Sequence, residues 1–432
     1  MEWKRVRLGD YISIKSGLAY KGSKIGKGNS ILLGMGCVSF KDKFVESGAR
    51  SYEEDDRDER FLVKPGDIVL ATRQQSNNLP ILAMPAIVPN SFEGKRVIFG
   101  TNLYKVENHS DISSKFLFWL MKHQHYVNYI ASVKSGTAVQ MVTKKNVEDY
   151  KFMCPPIEVR NRISEILWTY DSLIENNTKR IRLLEKMAEN LYKEWFVRFR
   201  FPGYEKAEFG DSKYGKLPNT FSIVRMNDVF NYYIGGGWGE EEQSDDFPKK
   251  ASVIRGADFP NVWHYDVSSC PCRFHKTKNY TARQLKAGDI IMEISGGTSE
   301  QPVGRVVLVN RELIDRFEDG RVICASFCKL IRVNKEKVSP YYFYYWMKLL
   351  YNTRIIDKFQ LQSTGIINFK FESFLRKCDV MLPPKEVMDT FEKQVATLHR
   401  EMNLLAKQNS LLARRRDLLL PRLMSGKLEV KP

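Results

Sequence analysis

Two stretches of this chain are close copies: CPPIEVRNRISEIL begins at Cys154 and LPPKEVMDTFEKQV begins at Leu382. Pro155 aligns with Pro383, Pro156 with Pro384, Glu158 with Glu386 and Val159 with Val387, all at a shift of 228. An internal repeat of this length requires one supersecondary plan to be built twice, which excludes most single-core folds. The duplication also reaches beyond the proline pairs. VRLGDYISIKSGLAYKG from Val6 faces VRMNDVFNYYIGGGWGE from Val224, and KPGDIVLATRQQSNN from Lys64 faces KAGDIIMEISGGTSE from Lys286. Each of the latter reads as a turn, a β-branched strand and a polar loop. FLFWLMK ending at Lys122 parallels YYFYYWMK ending at Lys348, and SVKSGTAVQ from Ser132 parallels LQSTGIINF from Leu361. The shift drifts from 218 to 228, as insertions in loops require.

A helix follows each half. Ile163, Leu167, Tyr170, Ile174, Asn177, Ile181, Leu184, Ala188, Leu191 and Trp195 alternate steps of four and three, a heptad seam. Adding 228 gives Phe391, Val395, Leu398, Met402, Leu405, Asn409, Leu412, Arg416, Leu419 and Leu423 in the same register. Each seam carries one asparagine. In an antiparallel pair with aligned ends, Ile163 faces Leu423 and facing residue numbers total 586, as Asn177 and Asn409 also do. A parallel pair would set each amide against a leucine, so the spacing predicts an antiparallel pair with Asn177 meeting Asn409. The seam runs about 48 Å at 1.5 Å per residue, whereas same-side major-groove faces of DNA recur about every 34 Å. Apolar residues outside the seam, Ile166, Leu173 and Leu183, widen the stripe; partner helices or the chain's own domains would account for them.

The expected architecture is α+β: two recognition domains of similar fold, each followed by a long helix, with the helices forming an antiparallel coiled coil of pseudo-twofold symmetry. The expected boundaries are a first domain at 1–152, a central helix at 153–200, a linker at 201–220, a second domain at 221–381, and a helix with tail at 382–432. Pro202, Gly203, Gly210, Gly215 and Pro218 punctuate this segment and exclude a helix, leaving a linker or an ordered loop.

The chain has 432 residues, with 68 Lys and Arg against 51 Asp and Glu, a formal charge of +17. That excess favours a polyanionic partner, because cations that neutralise phosphates release condensed counterions. No apolar run approaches the roughly 18 residues of a spanning helix and the first residues carry no signal-peptide core, so a cytoplasmic protein is expected. Seven cysteines then imply free thiols. Cys270, Cys272, Cys324 and Cys328, near His264 and His275, fit no common zinc spacing and are expected to be buried.

PPIEVRNRISEILWTYDSLIENN, the following LYKEWFVRFRFPGYE and the C-terminal LLARRRDLLLPRLMSGKLEV resemble the conserved regions of the specificity subunit of Type I restriction-modification enzymes. The resemblance covers essentially the whole chain, although the recognition domains match mainly in layout. It implies a non-catalytic subunit that reads an asymmetric bipartite site on double-stranded DNA, one half-site per recognition domain. It further implies two modification (methyltransferase) subunits as partners and, in the full complex, two restriction subunits. S-adenosylmethionine, ATP and Mg would belong to those partners, and no cofactor or metal to this chain. The residues agree by omission: the chain has no GxxxxGK[ST] loop, IGGGWGEEE around Gly235 does not fit GxGxxG, and no Asn-Pro-Pro-aromatic run occurs. The acidic YEEDDRDER from Tyr52 reads as a solvated loop.

Base reading needs Arg, Lys, Asn or Gln on stiff loops, and phosphate contacts add Ser, Thr and backbone amides. In the first half the candidates are Arg73, Gln74, Gln75, Ser76 and Asn77, then Lys134, Ser135, Gly136, Thr137 and Gln140, then Gly17, Tyr20 and Lys21. In the second half they are Ser295, Gly296, Thr298, Ser299 and Gln301, then Gln360, Gln362, Ser363 and Thr364, with Trp238 and Arg305 as outliers. The aromatic cluster at 341–346 sits at helical spacing and is assigned to core. The helix ends near Trp195, Phe196, Phe199, Leu420 and Leu423 are candidate docking points for partner subunits. Two other readings remain open at this point: an independent DNA-modifying enzyme, and a structural coiled coil with a nonspecific basic surface.

Overall fold

A computed structural model describes residues 3–75, 81–298, 301–363 and 366–430. The chain divides into two compact units, one of residues 1–174 with 411–432 and one of residues 175–410. The long helices are Ile157–Phe196 and Lys385–Met424, whose bounds differ by 228 at both ends. None of the seam residues named above is exposed.

Within the first unit, the start of the central helix pairs antiparallel with the end of the C-terminal helix. Arg416 Nη1 donates to Asp171 Oδ1 over 2.5 Å, and Ile163, Leu167 and Leu423 share one buried cluster. Within the second unit, Asn177 Nδ2 donates to Gln408 Oε1 at 3.3 Å and Asn409 Nδ2 to Thr178 Oγ1 at 3.2 Å. These contacts lie within one of the expected total of 586, so the register is as the seam requires. The two asparagines bond to each other's neighbours rather than to one another, which corrects the expected pairing. Asn409 Oδ1 is left buried without a partner.

Each unit builds its recognition domain from the same pieces. Strand Lys4–Arg7 pairs antiparallel with Lys151–Cys154, and Ser222–Arg225 with Asp379–Leu382, clasping the two ends of each domain. A four-stranded antiparallel sheet follows: Ile12–Ser16, Leu103–Asn108, Ile68–Ala71 and Pro85–Ile87 in the first, and Phe230–Gly235, Cys328–Val333, Asp289–Glu293 and Val306–Val309 in the second. A three-stranded mixed sheet centres on Ile25–Leu33, parallel to Val97–Phe99, or on Lys249–Ile254, parallel to Val322–Cys324.

The repeated Gly-Asp turn is structural. Asp67 accepts from the Lys64 amide at 2.9 Å and Asp289 from the Lys286 amide at 2.7 Å, while Gly66 and Gly288 take φ of +88° and +98°. The aromatic helices Ser114–Lys122 and Pro340–Asn352 are core elements, capped alike by Ser113 and Ser339. The segment 201–220, expected as a linker or an ordered loop, carries regular structure. Strands Phe209–Ser212 and Gly215–Pro218 form a hairpin, and Phe201, Leu217 and Phe221 are buried in the second unit's core. Gly215, at φ +95°, closes the turn of this hairpin, and Gly210 and Pro218 lie within its strands.

Candidate nucleic-acid interface

In the first unit, two candidate loops remote in sequence meet. Strand Arg73–Gln74 pairs antiparallel with Gln140–Met141, and the Ser135 and Met141 amides and carbonyls exchange two hydrogen bonds. Gly136 turns at φ +90°, with a virtual Cβ only 2.1 Å from the Val139 carbonyl oxygen, so glycine is required. Gln75, Ser135, Gly136 and Thr137 are exposed. Gln74 is buried: its Oε1 accepts from the Ile81 and Leu82 amides, and its Nε2 donates to Gln140 Oε1, which also accepts from Lys134 Nζ. Gln74 therefore positions the loop that follows it and presents no base-reading edge, which corrects its assignment as a reader. Ser76 and Asn77 lie outside the described residues.

Gly17 is a packing glycine, its virtual Cβ 2.2 Å from the Gly100 carbonyl oxygen. Tyr20 packs edge-on against Tyr52, and Lys21 pairs with Asp55 at 3.2 Å on the surface.

The second unit brings its candidates together in the same way. Strand Ser295–Gly297 pairs with Ile366–Phe369, which pairs with Gln360–Ser363. Ser295 Oγ donates to Asn368 Oδ1 at 2.7 Å, and Gly296 has φ +96°. Thr298 N–H donates to the Gln301 carbonyl at 2.8 Å, and the Gln301 amide donates to Thr298 Oγ1 at 3.1 Å. Gln360 donates to Asp357. Ser299 and Thr364 lie outside the described residues, and Gln362 and Ser363 are placed only as members of their strand.

Residues 1–186 match the family described as Type I restriction modification DNA specificity domain. The sequence is 23% identical over 449 residues to the putative type I restriction enzyme MjaX specificity subunit of Methanocaldococcus jannaschii, covering 100% of this chain and 94% of that one. The chain is similar to type I specificity subunits, through the family match in residues 1–186 and through a relative aligned along its whole length. A second relative from the same organism, the MjaVIII specificity subunit, is 27% identical over 205 residues; the match covers 47% of this chain and 46% of the relative, about half of its length. The crystal structure of an S subunit from M. genitalium shares the fold, with a TM-score of 0.53 at 13% identity over 100% of this chain and 97% of that one.

Similarity to specificity subunits gives the remaining candidates a context. Arg305 is not available to a ligand: it is buried, forks onto Glu293 at 2.7 and 2.8 Å, and donates to the Gly256 carbonyl. Its assignment as a DNA contact is corrected for that reason, since burial and the bonds of Nε and Nη2 to Glu293 and Gly256 hold the guanidinium inside the core. Trp238 is partly exposed with Arg273 over its ring at 4.8 Å, and Arg273 is bound to Glu241. Cys324 and Cys328 are buried as expected, and burial pushes the Cys324 thiol up to about 12; Cys272 is exposed, against expectation. Among the described residues no group of three or more His, Cys, Asp or Glu side chains could hold a metal, and no helix is long and apolar enough to cross a membrane.

Sequence reasoning missed the outward residues of the small sheet in the second unit. Leu361 and Asn368 face each other across the strands, and Leu361 and Ile366 are exposed. Strand alternation about the GIINF run could have found them, because Phe369 and Ile367 occupy the core side and fix which face points out. The helix-end aromatics Trp195 and Phe196 and the apolar Leu423 are buried in their own units, so those positions are not free docking points.

Proposed function

We propose that the chain is the non-catalytic DNA-specificity subunit of a type I restriction-modification enzyme, reading an asymmetric bipartite site with one half-site per recognition domain. The observation that carries this reading is a duplicated scaffold in which remote polar segments are hydrogen-bonded into one small sheet in each unit, with different residues in each. One scaffold with two different grips suits a site whose halves differ. Methyl transfer from S-adenosylmethionine, and ATP- and Mg-dependent translocation and cleavage, belong in this reading to modification and restriction subunits.

The helices supply the docking surface. The first unit leaves Leu173, Leu411 and Leu418 exposed on them, and the second Leu183, Met187 and Leu404. Ile166, by contrast, packs on the first unit's own core. One apolar set per unit matches two modification subunits.

The test is to co-express the chain with a type I modification subunit and map methylated adenines across the host genome. Two short motifs at a fixed interval are expected, and exchanging residues 1–152 for another recognition domain should change one motif and leave the other. Methylation without a bipartite motif, or with both motifs changed, would sink the reading. Cutting or methylation by the purified chain alone would show it to be an enzyme in its own right.

A further inference from the structure

One turn lies at the centre of each candidate face, and sequence reasoning passed over it. In the second unit it runs from Ala325 to Cys328. Four backbone bonds fix it: Ala325 N to Ile254 O and Ile294 N to Phe327 O, both at 2.9 Å, Cys328 N to Ala325 O at 2.8 Å, and Gly237 N to Cys324 O at 2.9 Å. In the first unit the equivalent turn runs from Gly100 to Leu103 and makes the same four bonds: Gly100 N to Leu33 O and Thr72 N to Asn102 O, both at 3.0 Å, Leu103 N to Gly100 O at 2.8 Å, and Leu18 N to Phe99 O at 2.9 Å. A glycine presses on the turn in both, since virtual Cβ atoms on Gly17 and Gly236 would sit 2.2 and 2.1 Å from the Gly100 and Ala325 carbonyl oxygens. The turn therefore joins the loop after the first strand to the candidate loop after Ala71 or Glu293.

The backbone is the same, but the tip differs. Asn102 is half-buried, within 3.4 Å of the Tyr20 hydroxyl, and serves the fold. Phe327 occupies the same place and is 60% exposed, with its ring edge 3.9 Å from where a Cβ of Gly296 would be. It belongs to no buried cluster among the described residues. Exposed Leu361 and Ile366 lie on the small sheet that includes Gly296. A large ring held out on a stiff turn beside polar candidate residues gains nothing for folding, because its apolar surface stays in water.

Resting on the DNA-reading function proposed above, we infer that Phe327 is a specificity-determining residue that contacts a thymine C5-methyl group in the half-site read by the second unit. A phenyl ring has no donor for phosphate, and the thymine methyl is the apolar group on the major-groove base edges. Ser295 and the neighbouring polar groups would position the ring without reading that base pair.

The experiment selects bound sequences from a randomised duplex library, using the full chain with its modification subunit, for wild type, F327A and F327L. Wild type should select a bipartite site with a T·A pair at one position of one half-site. F327A should lose preference at that position alone, by about fivefold or more, the cost of one mismatched pair, and F327L should retain part of it. Replacing that thymine by uracil should weaken wild type by the same factor and leave F327A unchanged. An F327A selection identical to wild type, or a wild type indifferent to uracil, overturns the inference while leaving the bipartite reading intact. A wild type that selects no site sinks both readings before any variant is compared.

Discussion

The two recognition domains share a backbone but fill it with different chemistry. The Ala71 amide bonds the Met84 carbonyl in the first unit, and the Glu293 amide bonds the Arg305 carbonyl in the second. The side chains there are an apolar pair in one unit and a buried ion pair in the other. The helix surface shows the same divergence. Position 171 is a buried Asp held by Arg416, which lies 5.6 Å over Trp119. Its repeat partner 228 residues on is His399, held by the Tyr265 and Tyr345 hydroxyls at 2.8 Å each. Asn310 donates to Tyr265 Oη, extending the buried polar set around His399. Ladder registers and apolar burial thus define the scaffold, and any fully satisfied polar set is accepted inside it.

The largest effect should come from breaking the ion pair. R305A leaves the Glu293 carboxylate buried without a cation and should destabilise the second unit by about 3–5 kcal/mol. The double variant E293A/R305M copies the first unit's side chains and should recover most of that loss, since apolar replacement of a buried pair is often neutral. Denaturant unfolding, with hydrogen exchange of the Asp289–Glu293 strand to assign the transition, measures both. A double variant as unstable as the single one would break the equivalence of the two halves. Next come the paired glycines. G17A and G236A both drive a methyl into a backbone carbonyl that cannot rotate away, and each should cost about 1–3 kcal/mol. Matched losses sharpen the comparison, whereas a tolerated alanine on one side would show that its turn is not constrained in the same way.

The repeat was the legible part of this chain. A period of 228, a heptad seam and the 586 total are enough to specify two α+β domains and an antiparallel helix pair, because backbone periodicity and apolar spacing leave direct marks in sequence. The small sheets uniting each pair of candidate loops were half legible: both loops were found, but the pairing of Arg73–Gln74 with Gln140–Met141 spans too much chain to be read locally. Gln74 and Arg305 were misread because a polar side chain gives no sign in sequence of whether its partners are inside the protein. The hairpin at 209–218 was legible only as a linker or an ordered loop, because Gly and Pro mark tight turns and loose linkers alike. Phe327 was passed over since nothing around it, in SFCKL, distinguishes an outward ring from a buried one.

A pH series should separate the units more gently. Burial holds His399 neutral, with its pKa lowered to about 3, and burial lowers His123 in the first unit to about 4. In the unfolded chain both take a proton near 6.5. Below that pH the unfolded state binds protons that the folded state refuses, so stability falls as pH drops, by at most about 1.4 kcal/mol per pH unit for each group. The loss should run from 6.5 down to about 4 for His123 and on to about 3 for His399. H399N should flatten the slope of the second unit's transition and leave the first unit's unchanged. A slope that H399N does not alter would mean that the histidine is already charged in the fold.

The smallest effect concerns the seam asparagines. Asn409 Oδ1 is buried and unbonded, whereas the Asn177 amide donates to Gln408. N409L removes an unsatisfied acceptor and adds apolar contact against the loss of the 3.2 Å bond to Thr178, so it should stabilise the second unit by at most about 1 kcal/mol, the typical net scale of one buried polar group. N177L gives up a 3.3 Å bond and strands the Gln408 carbonyl only toward solvent, so its gain should be smaller. Unfolding midpoints of the two single variants rank these effects. The reverse order would place the structural weight on Asn409 and its bond to Thr178, and would mean that the asparagines hold the register through that bond rather than through the Gln408 contact.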